Sequence, residues 1–585
     1  MPDFAKPLRP SDALKFGLSI GLSCGALDGV FAIRSAGAMI DRAGILAVSL
    51  VVDAAAFACV SLLAWLALRA VVRSPLSVTM RHRLIVGLTC IAIASVVFAV
   101  AAVVVGASDG EHGEGRSSQP NILLISIDTL RPDHLSAYGY SRDTSPVLQR
   151  LAREGVLFQE AYSHSTWTLP AHASILTGLN PLAHGVLTRE DRLQGYHETL
   201  AERLNEEGYE TVAWVGTKRW GFVGADYGFA SGFTRFHHYP HPNRFWSGIL
   251  ARNIDALLLE YLYRGVGNAH AQVGEVLRWL DVGRTDPFFA FVHFYDVHSK
   301  SAMLPYEAPE PFRDVFCEGA LDDFDFCEGA LCASDRLLEI ARGRKSALGK
   351  EEIEIARCLY DGGVAFMDSE LGRLFTGLKA RGLYDNTIIV VTSDHGEAFF
   401  EHERPLHTTL HEEITRIPMI FRVPGALEGK RASGVVRQSD IAPTLLALIG
   451  SRPLEGAQGK SLVDVLTQWN ETLDLGVLAV DDNQGGSLIR KGPYVLILHP
   501  SFNALDGKPI QELYDVSRDP AQRHNRAVSE PSVVAGLIQR MGNQHQRSLA
   551  LQKRLAAGET HEKVEVSDEA RAGLRALGYI QNEEE

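Results

Sequence analysis

The chain has 585 residues, with 71 Asp and Glu against 57 Lys and Arg and a formal charge of −14. That balance argues against a nucleic-acid partner, because a phosphate backbone is held by clustered cations. The length suits several domains, or one large α/β domain with additions. The composition is globular overall, but the apolar residues crowd into the first hundred or so positions.

Phe16–Ile33 is apolar except for Asp28, Ala43–Leu68 is apolar except for Asp53, and Leu84–Gly106 carries no charge. A helix needs roughly 20 such residues to cross the hydrocarbon core. Three transmembrane helices are therefore expected within residues 1–106. A cleaved signal peptide would leave the second and third runs unexplained. Lys6, Arg9 and Lys15 precede the first run, and Arg69, Arg73, Arg81 and Arg83 fill the loop before the third. Both segments belong on the cytoplasmic side. The expectation is a multi-pass cell-membrane protein with a cytoplasmic N-terminus and everything after the third helix periplasmic or extracellular. Asp28 and Asp53 read as hydrogen-bonding groups within the helix bundle. Residues 107–120, polar and Gly-rich, form a linker.

Cys24, Cys59 and Cys90 fall in the apolar runs and read as small apolar residues. Cys317, Cys327, Cys332 and Cys358 fall in the exported part. Their even number predicts two disulfides in an oxidising compartment, with the pairing open. Their spacing matches no zinc-binding CxxC pair.

From Asn121 onward strand and helix patterns alternate. NILLISID is a buried parallel strand, SPVLQRLAREG a helix with a Gly stop, and ETLAERLNEEGYETVAWVG helix, turn and strand. PFFAFVHFYDVH is a strand running into a polar tip, and VAFMDSELGRLFTGLKARGLYDNTIIVVTSDHGE is helix, turn, strand and polar tip. This rhythm predicts an α/β fold with a mostly parallel sheet, helices on both faces and sites at the carboxyl ends of strands. The catalytic domain is set at residues 121–424. The shorter pieces after Pro424 read as a smaller C-terminal subdomain over 425–545, then a helical tail over 546–585.

The converging tips carry Asp128, His293, Asp296, His298, Asp394 and His395, with His407 a little later. Carboxylates with imidazoles suit zinc or manganese. Any one of these residues alone is also what an ordinary capped loop end contains; three strand ends together favour a metal site. The stretch HSTWTLPAHASILTG, His164–Gly178, offers Ser165, Thr166, Thr168 and Ser174 as nucleophiles once a base or metal activates one of them. Spacing does not choose among them.

These segments, in this order, resemble the sulfatase family of the alkaline phosphatase superfamily. The matching stretches are NILLISIDTLRPDHLSAYGY, TWTLPAHASILTGLNPLAHGV, PFFAFVHFYDVH, VTSDHGEAFFEH, ITRIPMIFRVPG, SDIAPTLLALIG and ELYDVSRDP. The resemblance implies an alkaline-phosphatase-like fold and places the nucleophile at Thr168. Threonine cannot become the formylglycine of ordinary sulfatases, and His172 stands where the family has an arginine. Where the family opens with two consecutive acidic residues this chain has Asp128-Thr129, and where the family closes with an Asp-Asn pair it has Asp394-His395. In these departures the chain resembles the membrane-anchored phosphoethanolamine transferases and lipoteichoic acid synthases. The resemblance then implies Asp128, Thr168, Asp394 and His395 as ligands of one divalent cation (zinc, manganese or calcium), with a second cation in some relatives. Thr168, His172, His298 and His407 are the implied catalytic residues, with His402 and His411 as alternatives to His407. Lys300 reads as a surface lysine, with contact to an anionic group as the alternative, and the loops 218–226 and 317–332 are read as facing the leaving group.

The expected activity is metal-dependent hydrolysis or transfer of phosphate or sulfate esters, on membrane lipids or envelope glycans. The competing readings are a formylglycine-free sulfatase and an inactive sulfatase-like scaffold. The three apolar runs are too few, and show no repeat, for a transporter. Nothing in the sequence names a protein partner.

Overall fold

The computed structural model describes residues 119–216, 222–238, 269–281, 286–299, 306, 308–313, 315–317, 337, 340, 348–470, 475–481, 486–499, 511–559 and 562–564. The three expected membrane spans, Cys327, Cys332, Lys218, Lys300 and the tail beyond 564 lie outside them. No helix among the described residues is long and apolar enough to cross a membrane. Apart from 278–281, the described residues belong to one compact unit.

The main sheet is built from β1 (Asn121–Ile127), β2 (Val156–Tyr162), β3 (Glu210–Val215), β4 (Arg235–His238), β5 (Phe288–Phe294) and β6 (Thr387–Thr392). After the two-residue hairpin strands β7 (Ala398–Phe399) and β8 (Pro405–Leu406), β9 (Arg416–Arg422) and β10 (Lys430–Arg437) complete it. The order is β10-β2-β9-β6-β1-β5-β3-β4. Only β9 runs antiparallel to its neighbours, so the sheet is mostly parallel as expected. β1, β5 and β6 are buried at every position, which is why their sequences are continuous apolar runs rather than alternating ones. Ile122, Leu124, Phe289, Phe291, Ile388 and Val390 pack into one core with Phe158, Met419 and Phe421.

Two helices shape the site. Thr168–Thr177 is buried along its whole length and stops at Gly178, whose φ of 69° is the left-handed turn that suits glycine. Pro170 sits in its first turn, where its missing N–H has no partner to lose. Lys350–Ala380 is longer than its apolar pattern suggests. A Cβ on its Gly362 would lie 2.4 Å from the Phe312 carbonyl oxygen, so glycine admits the close approach of the 308–313 segment. A disulfide between Cys317 and Cys358 ties the same helix to that segment. It is one of the two bonds expected from the sequence.

A second sheet follows: β11 (Val477–Asp481), β12 (Gly486–Lys491), β13 (Tyr494–Leu498) and β14 (Gln511–Asp515), antiparallel throughout. Leu478, Ile489, Leu496 and Leu513 pack against Val534, Leu537 and Met541 of the helix Pro531–Leu555. The chain past 424 does not pass directly into this layer. β10 first returns to the main sheet beside β2. Its sequence, KRASGVVR, is half exposed and has no apolar run to mark it as a strand.

The segment from β7 to β9, with β8 inside it, is clasped to the second sheet by stacked imidazoles, His402 before β8 and His411 after it. The rings of His402 and His411 lie 3.5 Å apart. His402 donates from Nδ1 to Glu413 at 2.8 Å and from Nε2 to the Gln522 carbonyl at 3.1 Å. His411 Nε2 bonds Glu512 on β14 at 3.0 Å, and the Tyr514 hydroxyl donates to the same carboxylate at 2.9 Å. His402 and His411 are thus committed to the clasp.

Burial opposes the Glu512 charge, but hydrogen bonds from His411 and His499 win and hold the carboxyl well below the usual range. A carboxylate with a depressed folded pKa adds stability above its unfolded value, and that stability is lost as pH falls towards the folded pKa. The clasp therefore weakens below about pH 4.5, the ordinary value for glutamate. We predict that Glu512→Gln costs about 1–3 kcal/mol at neutral pH and flattens the acid limb of the melting-temperature profile. Thermal melts between neutral and acid pH check this.

Candidate active site

β1 and β6 are parallel neighbours, with Ser126 opposite Thr392. Their carboxyl ends therefore deliver Asp128 and Asp394 to the same edge of the sheet. The turn after Asp128 is strained, because Thr129 adopts φ 57°, a conformation unfavourable to a β-branched residue. Three hydrogen bonds hold it: Thr129 N–H to Asp394 Oδ1 at 3.2 Å, its hydroxyl to the Asp128 carbonyl at 2.8 Å, and the Tyr360 hydroxyl to its own carbonyl at 2.7 Å.

These bonds sort the donor atoms. Asp394 Oδ1 also accepts from the His395 N–H at 2.9 Å, which leaves Oδ2 facing inward. His395 donates from Nδ1 to the Gly396 carbonyl at 2.9 Å, so the lone pair is on Nε2. Asp128 Oδ1, Asp394 Oδ2 and His395 Nε2 are all buried and make no hydrogen bond. His395 Nε2 lies 3.8 Å from Asp128 Oδ1 and 3.5 Å from Asp394 Oδ2. Two donors sharing one cation at ~2.0–2.2 Å stand roughly 3–4 Å apart. Three orphaned donors at that spacing fit a divalent cation.

The electrostatics agree. Burial, and then repulsion from Asp394 and Glu397, drive the Asp128 carboxyl well above its usual range. Burial pushes Asp394 the same way, but His395, His172 and His293 outweigh it and hold that carboxyl low. Two carboxylates sealed from water with only neutral imidazoles around them lack a positive charge of their own.

Thr168 opens its helix after the extended residue Trp167. Its hydroxyl donates to Asp128 Oδ2 at 3.4 Å. Of the four candidate hydroxyls, this one touches the donor set: Ser174 bonds His184 at 3.1 Å, and the Ser165 oxygen accepts from the Trp167 N–H at 3.4 Å. The Thr166 hydroxyl is buried without a hydrogen bond. His172 donates from Nδ1 to the Thr168 carbonyl at 2.8 Å and accepts from the Ser126 hydroxyl at Nε2 at 2.9 Å. Both its nitrogens are engaged, so it holds Thr168 in place rather than exchanging a proton.

His298 and His407 enter the same pocket, their ring centroids 5.4 Å apart. His298 donates from Nδ1 to the Ser299 carbonyl at 2.7 Å. The His407 ring lies 4.7 Å from that of His395, with its Nδ1 3.6 Å from Glu397 Oε2. Burial lowers both pKa values to about 4, helped by His407 acting on His298 and by Arg189 acting on His407. Both rings are neutral at neutral pH; the one N–H of His298 goes to Ser299, which leaves its Nε2 with the lone pair.

Asp296 is not brought in; its carboxylate accepts from the Ala269 N–H at 3.1 Å. Two further residues do join. Glu397 is fully buried, and its Oε1 accepts from the Tyr306 hydroxyl at 3.1 Å. Glu397's place in DHGE is the one signal that could have marked it; Tyr306 has none. Gly396, between His395 and Glu397, is required sterically, since a Cβ there would lie 2.0 Å from the Glu413 carbonyl oxygen.

The family model described as Sulfatase matches residues 120–451, more than half of the chain. An arylsulfatase of Clostridium perfringens is 24% identical over 476 residues, covering 70% of this chain and 91% of the relative. A Delta 4,5-hexuronate-2-O-sulfatase of Bacteroides thetaiotaomicron is 25% identical, covering 70% and 85%. Among solved structures, the phosphonate monoester hydrolase of Agrobacterium radiobacter superposes with a TM-score of 0.56 at 21% identity, covering 75% of this chain and 96% of that one. At that identity the likeness shows the fold.

Gly396→Ala should push the β6 tip off its support. We predict a folded protein that retains at least about tenfold less divalent metal after dialysis, as read by elemental analysis. Undiminished metal retention would show that the Gly396–Glu413 contact does not set the triad.

Proposed function

The chain belongs to the Sulfatase family, and on that premise we propose that this sulfatase-like hydrolase uses Thr168 as its nucleophile on phosphate or sulfate esters. The observation that carries the reading is the convergence of three orphaned donors with a hydroxyl bonded to one of them. Asp128, Asp394, His395 and the Thr168 oxygen would hold one divalent cation. Bound there, a cation lowers the hydroxyl pKa and offsets charge on the ester oxygens.

The chain's own groups do the rest. His172 fixes the backbone of Thr168, aiming Oγ1 away from the helix it begins. Thr168 Oγ1 bonds to phosphorus or sulfur as the bond to the leaving oxygen breaks, and the hydroxyl proton departs on the Asp128 side. His407 gives an N–H to a non-bridging oxygen, His298 lines the same site with its Nε2 lone pair, and the proton lost by Thr168 balances the one taken up by the leaving oxygen. The phospho- or sulfo-threonine is then cleaved by water or by an acceptor hydroxyl; the second route would make the enzyme a transferase. Threonine offers a single hydroxyl, so the adduct leaves only by attack at phosphorus or sulfur. This favours the phosphate reading.

We further propose a cell-membrane location with the catalytic domain on the periplasmic or extracellular side, from the three apolar runs and their flanking charges. The Cys317–Cys358 bond accords with an oxidising compartment. Lipid head groups or envelope glycans are then the substrates in reach. A second reading, a formylglycine-free sulfatase acting on a glycan, draws on the hexuronate sulfatase relative. The intact donor set speaks against an inactive scaffold.

The test is turnover of an aryl phosphodiester, an aryl phosphomonoester and an aryl sulfate by the purified full chain in detergent, with zinc, manganese or calcium. Phosphodiester turnover is expected to lead, and Thr168→Ala to lose at least ~10³ in kcat. Near-normal turnover by Thr168→Ala would remove the threonine mechanism. Sulfate turnover that needs Thr168 would favour the second reading.

A further inference from the structure

Among the described residues, six that are not glycine adopt a left-handed φ, and three of them, Phe400, Glu403 and Leu406, fall within the seven residues before His407. L side chains seldom take that conformation, and it persists only where the surroundings impose it. Phe400 and Glu403 lie in the turn of the β7–β8 hairpin, where the Glu403 N–H donates to the Phe400 carbonyl at 3.1 Å. Leu406 differs. It lies inside β8, is 7% exposed, and is paired with Ala398 of β7. With its φ of 61° the strand ends and the chain turns at His407. The Thr408 hydroxyl, donating to the Pro405 carbonyl at 3.1 Å, spans that turn. Glycine or asparagine is the ordinary occupant of such a place; a buried leucine is not.

The turn falls where the site needs one. β7 starts just past His395, with Gly396 and Glu397 between, and its rungs Ala398–Leu406 and Phe399–Pro405 bring β8 back alongside it. The Phe399 ring packs against those of Tyr306 and Tyr360, with centroids 5.6 and 5.1 Å away, which fixes the base of the hairpin. By this register, an extended residue at 406 would continue the ladder and set His407 opposite Glu397. The left-handed residue breaks the ladder instead. The His407 ring then lies 4.7 Å from that of His395 and 5.4 Å from that of His298.

We infer that Leu406 is a positioning residue for turnover: its left-handed backbone, held by the hairpin, sets the His407 ring against His395 and His298. This rests on the role proposed for His407. Leu406 acts through the residue that follows it, and what the site requires of it is the conformation rather than the apolar side chain.

The test measures kcat and KM of the full chain in detergent, on the fastest of the three aryl esters and below each variant's melting temperature. Leu406→Gly, Leu406→Ala, Leu406→Val and His407→Ala are compared with the unsubstituted protein. Glycine takes a left-handed φ freely, alanine reluctantly and β-branched valine least of the three, whereas apolar bulk rises in that same order. Conformation and packing therefore rank the variants oppositely. The expected result is a kcat that falls from glycine to alanine to valine, with valine about 10–100-fold below glycine and KM changed less than about threefold. Glycine and alanine differ by one methyl group, so that pair decides even where the valine variant does not fold. A kcat that rises from glycine to valine, or is equal in all three, would overturn the inference and leave the role of His407 standing if His407→Ala is impaired. Near-normal turnover by His407→Ala would overturn that role, and the inference with it.

Discussion

Two carboxylates within reach of one another, closed off from water and attended only by neutral imidazoles, must lose a charge or gain a cation. Asp128 and Asp394 are in that position. The local architecture resolves the conflict in one direction. It uses up Asp394 Oδ1 on backbone N–H groups and the His395 Nδ1 on a carbonyl, and leaves one inward atom on each of three residues. A site built to keep a carboxyl neutral would instead give the remaining oxygens a hydrogen-bond partner.

The surroundings make that arrangement rigid. Thr129 is held against its conformational preference by Tyr360 on the long helix, whose hydroxyl also accepts from the Arg131 N–H at 2.9 Å. The buried Arg131 guanidinium donates to the Glu397 carbonyl at 2.7 Å and to Glu401 at 2.8 Å, bracing the turn after His395. The imidazole clasp fixes the far end of the same loop to the second sheet. The loop that carries His407 is therefore anchored on both sides of the residue, as the role proposed for it requires.

Much of this was legible before the fold was known, for a physical reason. Strands buried on both faces must be apolar throughout, so NILLISI, FFAFVHF and TIIVVT announce themselves, and the polar residues that follow them mark the candidate site. β10 was not legible, because at a sheet edge KRASGVVR buries only part of its surface. The start of the long helix was hidden because KEEIEIARCLYDGG carries charges and two glycines that match no simple amphipathic stripe. His407 over His402 and His411 rested on spacing and resemblance; the structure shows His402 and His411 committed to Glu413, Gln522 and Glu512. Glu397 could not be separated from ordinary loop acids without its burial. His172 was expected among the catalytic residues from its place in the motif; its engagement at both nitrogens is a tertiary fact, since Ser126 lies 46 residues away in sequence.

The most direct test is to trap the covalent intermediate. The full chain is mixed with an activated aryl phosphodiester and quenched in acid within the first turnover, and the peptide containing His164–Gly178 is then sequenced by mass spectrometry. The account predicts a phosphoryl adduct on Thr168, absent from Thr168→Ala. An adduct on another residue, or turnover with no covalent adduct at any quench time, would contradict the assignment of Thr168 as nucleophile.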